Sequence, residues 1–326
     1  MKEMSFPVCV RRRLHGGKAQ EENMKIIILD GATINPGDLS WSSLEKMGEL
    51  QVYDRTSKDR VIERIGKSEA IFTSKNKITG SVMDACPNLK FIGVLATGYD
   101  NIEIDAAAER HIAVCNVPGY STEPVAQHTF ALILEITNNV GLHNAAVEEG
   151  QWCEAPDFCM VKRPIRQLCG KSLGIIGYGH IGSRVGEIAK AFGMTVNIYS
   201  RDPEAAIQSD ILTLHCPATA ENAGFINKAF IEKMKDGAIL INTARGALIN
   251  EEDLAEALRS GKLAAAAVDV VNGEPPARAN PLLHAPNLYI TPHIAWATKE
   301  ARALICSTSA ENLSGFLRGE RLNRIV

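Results

Sequence analysis

Three glycines in one short run are the first residues whose spacing points to chemistry. Lys171-Ser172-Leu173-Gly174-Ile175-Ile176 leads into Gly177-Tyr178-Gly179-His180-Ile181-Gly182, and the helical stretch SRVGEIAKAFG follows. A G-x-G-x-x-G run is weak evidence alone and strong evidence where it closes an apolar strand and opens a helix. In that setting Gly177 permits the tight turn, Gly179 lets the backbone approach a pyrophosphate, and Gly182 lets helix and strand pack closely. The helix start at His180 and Ile181 offers free N–H groups and a partial positive charge to the anion, the backbone of His180 mattering more than its ring. The ligand implied is a dinucleotide. The second strand of such a unit normally ends in Asp or Glu, about 20 residues on, which binds the adenosine ribose. Here Thr195-Val196-Asn197-Ile198-Tyr199 runs into Ser200-Arg201, and Asp202 comes too late unless a loop brings it back. With a hydroxyl and a guanidinium in place of a carboxylate that would repel a 2′-phosphate, the strand end leans to NADP(H) over NAD(H).

The elements that must position this turn alternate along the chain. From Met24, short β-rich runs at Ile26–Leu29, Leu50–Tyr53, Ala70–Thr73, Phe91–Leu95 and Ile112–Cys115 are separated by helical patterns such as Asp38–Met47 and Ile102–Arg110. Strands alternating with helices predict parallel βαβ construction. Ser121 and Thr122 offer N-cap hydroxyls ahead of Pro124 and the long apolar helix VAQHTFALILEIT. Six further strands, Leu173–Gly177, Thr195–Ser200, Ile211–His215, Ala238–Thr243, Ala265–Val270 and Leu288–Thr291, predict a second parallel sheet. A last helix, Lys299–Arg318, places Ala301, Leu304, Ile305, Leu313, Phe316 and Leu317 on one stripe. Residues 1–23 lack periodicity and read as a disordered N-terminal extension, with Glu21-Glu22 and the lack of an apolar core arguing against a targeting peptide.

Composition narrows the classes. The 326 residues allow two domains, and 35 basic against 38 acidic side chains leave a net charge of −3. Apart from Arg11-Arg12-Arg13 there is no basic stripe, so nucleic acid is not an expected partner. No apolar run is long enough for a membrane span. The eight cysteines form no Cys-x-x-Cys pair, so no metal site or dithiol centre is expected, and free thiols fit a cytoplasmic protein.

The segments LATGYDNIEID, NVPGYSTEPVAQHTFALILE, LCGKSLGIIGYGHIG, INTARGALINEEDLAEAL, AAVDVVNGEPP and TPHIAWAT resemble the D-isomer-specific 2-hydroxyacid dehydrogenases, particularly the glycerate dehydrogenase/hydroxypyruvate reductase branch. The resemblance covers Met24 to Val326 and implies an α/β fold of two Rossmann-like or flavodoxin-like domains with parallel sheets and an interdomain cleft. Residues 24–120 and 299–326 would form the substrate domain and 121–298 the dinucleotide domain, with a homodimer built around the helix after Ser121. It implies a catalytic group of Arg245, Glu274 and His293. Imidazole exchanges a proton near neutral pH, a carboxylate steadies the imidazolium, and a guanidinium forks a substrate carboxylate and the polarised carbonyl oxygen. Lys75, Thr97 and Gly98 fall on substrate-side positions, and Asp269 falls near the nicotinamide carboxamide, with an N-cap or strand-end hydrogen bond as the other reading. The other histidines, His128 and His215 among them, read as structural or exposed. The expected reaction is NAD(P)H-dependent reduction of hydroxypyruvate, glyoxylate or another small 2-keto acid to its D-2-hydroxy acid. A non-catalytic dinucleotide sensor of corepressor type, or a phosphoglycerate or formate enzyme of the same fold, stands as the alternative. The chain departs from the family in one place: only residues 200–210 separate the second and third nucleotide strands, so a further strand is missing or reduced there.

Overall fold

The computed structural model describes residues 24–326, so the expected N-terminal extension, 1–23, lies outside the described residues. The first sheet holds β1 (Lys25–Ile28), β2 (Glu49–Val52), β3 (Ala70–Thr73), β4 (Phe91–Val94) and β5 (Ala113–Cys115), all parallel in the order β2-β1-β3-β4-β5. The uninterrupted apolar runs of β3 and β4 are covered on both faces, while the edge strand β2, which carries Glu49 and Gln51, is largely exposed. Alternate side chains serve opposite faces. Ile26, Ile28, Phe72 and Phe91 meet Ile305 and Leu313 of the helix Lys299–Leu317, while Ile27, Ile71, Ile92 and Val114 meet Val61, Met83 and Ala107. The outer edge of β5 is covered by the end of the chain, where Ile325 N–H donates to the Val114 carbonyl at 2.7 Å.

The second sheet holds β6 (Ser172–Ile176), β7 (Thr195–Ile198), β8 (Ile211–Leu214), β9 (Ala238–Asn242), β10 (Leu263–Val268) and β11 (Leu288–Ile290), again all parallel, in the order β11-β10-β9-β8-β6-β7. One face packs Leu173, Ile175, Ile239 and Ile241 against Phe130 and Ile133 of the helix Thr122–Asn138. In both sheets the chain leaves a central strand, pairs on one side and then crosses back to the other, which creates a crevice at the strand carboxyl ends where ligands bind.

The short 200–210 segment has a definite outcome. β7 is the sheet edge, and the return to β8 is made by the five-residue helix Pro203–Ile207. Asp202 caps that helix by accepting from Ala205 N–H at 3.0 Å. The helix lies so close to β6 that a Cβ at Gly174 would stand 2.1 Å from the Ala206 carbonyl oxygen. A small crossover thus replaces the absent strand.

Three local expectations are corrected. Neither Ser121 nor Thr122 caps the helix Thr122–Asn138: Ser121 has helical backbone angles and its side chain makes no cap bond. Within 38–47 only Ser42–Glu45 is α-helical, because the Asn35 side chain bonds Gly37 N–H, Leu39 N–H and the Leu39 carbonyl and holds a loop there. In the last helix Leu304 and Leu317 are 46% and 49% exposed, and the buried face runs through Ile305, Ser309, Asn312 and Leu313 instead.

Asp210 ties the starts of two central strands together, accepting from Ser172 N–H at 2.9 Å and Oγ at 3.0 Å, and from Lys235 Nζ at 2.8 Å. Burial pushes its carboxyl up, but Lys235 and the Ser172 donors outweigh that and hold it down at about 2, against an ordinary 3.8. Asp210→Ala is expected to reduce unfolding free energy by roughly 1–2 kcal/mol at neutral pH, measured by urea denaturation. Because the folded carboxyl titrates below the unfolded one, the contribution is complete above pH 3.8 and is lost as the pH falls through about 2, so the two proteins should converge in acid.

Candidate active site

The carboxyl ends of both sheets open onto one cleft of about 1050 Å³. On its second-sheet wall, the loops after β9, β10 and β11 carry Arg245, Glu274 and His293. His293 Nδ1 and Glu274 Oε2 are 2.6 Å apart. Beside a carboxylate Nδ1 carries the proton, which leaves Nε2 as the nitrogen able to exchange one with a ligand. Burial raises the Glu274 carboxyl, yet the hydrogen bond and charge of His293, the Val271 N–H at 3.1 Å and the charge of Arg245 together hold it below the usual carboxylate range.

The His293 loop is fixed by Asp269, which is 2% exposed. Its carboxylate accepts from Thr291 Oγ1 at 2.6 Å, Ile294 N–H at 2.9 Å and Ala295 N–H at 2.9 Å, and its carbonyl accepts His293 N–H at 2.8 Å. Asp269 thus makes strand-end hydrogen bonds and also lines the cleft. His128 Nε2 lies 3.0 Å from Thr291 Oγ1, so this histidine belongs to the site's support.

Arg245 donates from Nη1 to the Ala244 carbonyl at 2.8 Å and makes no ion pair among the described residues. Its guanidinium rests against the loop after β4, where a Cβ at Gly98 would be 2.8 Å from Nη2. Thr97 is anchored through Oγ1 to the Val117 carbonyl at 2.8 Å. The site therefore joins an unpaired planar cation, a small-residue loop and an acid–base pair. Lys75 lines the same cleft from the loop after β3. Three further lining residues carried no readable signal in the sequence, namely Ser74, Tyr120 and Trp296. The two rings meet edge to face at 6.2 Å, and burial pushes the Tyr120 hydroxyl up to about 12, so it stays neutral beside Arg245.

The nucleotide turn adjoins the cleft through Ile181. Gly177 has φ +92°, and a Cβ there would stand 2.4 Å from Cys216 N; a Cβ at Gly182 would stand 2.0 Å from the Gly177 carbonyl oxygen. A Cβ at Gly179, by contrast, would meet nothing within 4 Å. Two glycines are thus required by the protein's own packing, while the third keeps free a space that a ligand can occupy. His215 lines the same end, with Nδ1 buried and unpartnered and its pKa lowered to about 3 by burial, so the ring is neutral. These features fit a dinucleotide lying across the carboxyl ends of β6 and β8, with His180 at the helix start exposed. Ser200 and Arg201 stand apart from the cleft lining, at the end of β7, with the Arg201 guanidinium 5.8 Å from the Tyr178 ring centre.

Residues 130–295 match the family model described as the NAD binding domain of D-isomer specific 2-hydroxyacid dehydrogenases. Over 318 residues the chain is 47% identical to the hydroxypyruvate reductase of Blautia hydrogenotrophica, covering 92% of this chain and 99% of that one. Among solved structures, a Thermus thermophilus protein has a TM-score of 0.81 at 31% identity, covering 93% of this chain and 100% of its own. An acyclic imino acid reductase in complex with NADPH and D-arginine has a TM-score of 0.81 at 27% identity, with 93% and 100% covered. Fold and site define a nicotinamide-dinucleotide oxidoreductase. The chain belongs to the D-isomer specific 2-hydroxyacid dehydrogenase family.

The two kinds of glycine should separate in experiment. Gly182→Ala is expected to lower the melting temperature, whereas Gly179→Ala should leave it unchanged and raise the dinucleotide Kd about tenfold or more, read by nicotinamide fluorescence titration.

Proposed function

We propose that the protein reduces small 2-keto acids, hydroxypyruvate and glyoxylate among them, to D-2-hydroxy acids such as D-glycerate. The observation that carries this reading is the 2.6 Å His293–Glu274 pair sharing a cleft with the unpaired Arg245. Arg245 holds the substrate carboxylate together with the N–H groups of the Thr97–Gly98 loop and polarises the carbonyl oxygen. His293 delivers its Nε2 proton to the oxygen as negative charge develops there, and Glu274 steadies the imidazolium until it is spent. Gly177, Gly179, Gly182 and the helix N-terminus hold the dinucleotide, which when bound supplies the hydride. Asp269 acts through the loop it fixes.

The support for NADPH over NADH is the end of β7. Ser200 and Arg201 stand there without a carboxylate, and Asp202 is engaged in capping the next helix. We read 24–120 with 299–326 as the substrate domain and 121–298 as the dinucleotide domain. The resemblance builds a homodimer around the helix Thr122–Asn138, which packs Phe130 and Ile133 within its own subunit; we place the contact instead on an apolar surface formed by the next helix, Val140–Glu148, and the segment after it, where Val140, Trp152 and Val161 are exposed and Phe158 is 91% exposed. A second copy of the chain is the natural cover for it.

Two kinetic outcomes are expected. Reduction needs the protonated imidazole, so kcat/KM for the keto acid falls as pH rises, and oxidation of the hydroxy acid, which needs the neutral ring, rises over the same range. Glu274→Gln removes the carboxylate from the imidazolium and shifts both limbs to lower pH, while His293→Ala loses on the order of 10²–10⁴-fold in rate. Near-normal turnover in His293→Ala would overturn the mechanism. For the coenzyme, kcat/KM is higher with NADPH, and Ser200→Asp moves preference toward NADH by repelling the 2′-phosphate; a wild-type preference for NADH of about tenfold, or 1.4 kcal/mol, would reverse the assignment.

A further inference from the structure

The turn after β3 is held more firmly than its exposure requires. Asp30, directly beyond β1, is 0% exposed and forms no ion pair among the described residues. Its carboxylate instead accepts from Thr73 Oγ1 at 2.9 Å, Ser74 N–H at 2.9 Å and Lys75 N–H at 2.8 Å. Asn76 continues the arrangement, donating from its backbone to Thr73 Oγ1 at 3.0 Å and from Nδ2 to the Thr56 carbonyl at 2.8 Å. Within this fixed turn Asn76 Oδ1 is buried and unpartnered, Lys75 makes no ion pair among the described residues, and Ser74 Oγ is buried without a hydrogen bond. Ser74 and Lys75 both line the cleft. A buried unpartnered hydroxyl is destabilising, and its retention beside a binding cleft calls for a ligand as partner. One χ1 step turns a serine hydroxyl from one direction to the next.

The geometry of the remaining wall says which part of a ligand that is. Gly98 lies against the Arg245 guanidinium, which places the substrate carboxylate at that end, and His293 Nε2 takes the keto oxygen. Of the groups lining the rest of the cleft, the aromatic pair Tyr120–Trp296 offers an apolar neighbour for the third substituent of the carbonyl-bearing unit, and the turn Ser74–Lys75 offers a polar one. We infer that Ser74 hydrogen-bonds a hydroxyl on the carbon next to the keto group, and that Asp30 is the positioning residue that aims it. This deepens the proposed function and rests on it. The site therefore selects 3-hydroxy-2-keto acids over keto acids of the same size without the hydroxyl, because a site built to bond a hydroxyl rejects the analogue that lacks it.

The test uses the full-length protein with hydroxypyruvate, pyruvate and glyoxylate. Ser74→Ala should lower kcat/KM for hydroxypyruvate about tenfold or more, chiefly through KM, and leave pyruvate and glyoxylate within about twofold. Its melting temperature should not fall, because the hydroxyl makes no bond inside the protein. Asp30→Asn, which puts an amide donor against N–H donors, should raise KM for hydroxypyruvate while leaving the pH limb of His293 in place; Ser74→Thr, which keeps a hydroxyl, should retain selectivity. A Ser74→Ala variant that slows all three substrates equally, or leaves their ratios unchanged, overturns the assignment while the keto-acid reductase stands. A wild type that reduces none of the three overturns the proposed function itself.

Discussion

A buried carboxylate whose oxygens are taken up by hydrogen-bond donors holds His293 in place. Asp269 gathers three donors from the loop after β11 and gives its own carbonyl to His293, whose backbone sits at φ +56°. That conformation is uncommon for a residue with a side chain, so it persists only where neighbouring bonds over-determine it. With the backbone fixed in this way, the short contact to Glu274 becomes a property of the fold, present before any ligand arrives. Preorganised charge of this kind is worth more in a sheltered cleft than in open water.

The first sheet repeats the device. Asp30 follows β1 as Asp269 follows β10, and each is a nearly inaccessible carboxylate that accepts backbone N–H groups from the loop after the neighbouring strand. The loops so fixed carry Lys75 in one case and His293 in the other. Parallel sheets place all their carboxyl ends on one side, and acceptors buried there can hold several functional loops together. The close approach of Gly98 to Arg245 is where the two walls meet.

Much of this was legible from residue pattern because its causes are local. The glycine run lies between a strand and a helix, and each of the eleven strands falls within a residue or two of its apolar run. The proposed catalytic trio is readable only through family resemblance, since Arg245, Glu274 and His293 line one cleft through tertiary structure and no spacing encodes it. Asp30 was invisible for the same reason: its partners lie 43 to 45 residues away. Asp202 stands too late in sequence for the ribose position, and a local N-cap bond takes its carboxylate. Leu304 and Leu317 continue an apolar stripe in sequence, yet the face pressed against the sheet carries Ser309 and Asn312, whose amide donates to the Asn116 carbonyl at 2.8 Å. His128 reads as ordinary because its partner, Thr291, comes from a distant loop.

The route of the chain has a consequence for its synthesis. β1 to β5 leave the ribosome first, but one face of that sheet is completed by Ile305, Ala310 and Leu313, and the edge of β5 by Ile325. Until those last residues emerge, Phe72 and Phe91 lack their cover, while β6 to β11 with the helix Thr122–Asn138 are already a contiguous, packable unit. The part made first is therefore the part finished last, and the nascent chain spends most of its elongation with an unshielded apolar sheet. Such a sheet is the kind of surface that recruits chaperones, so variants that loosen the final helix should harm yield in the cell more than they harm the purified, folded enzyme.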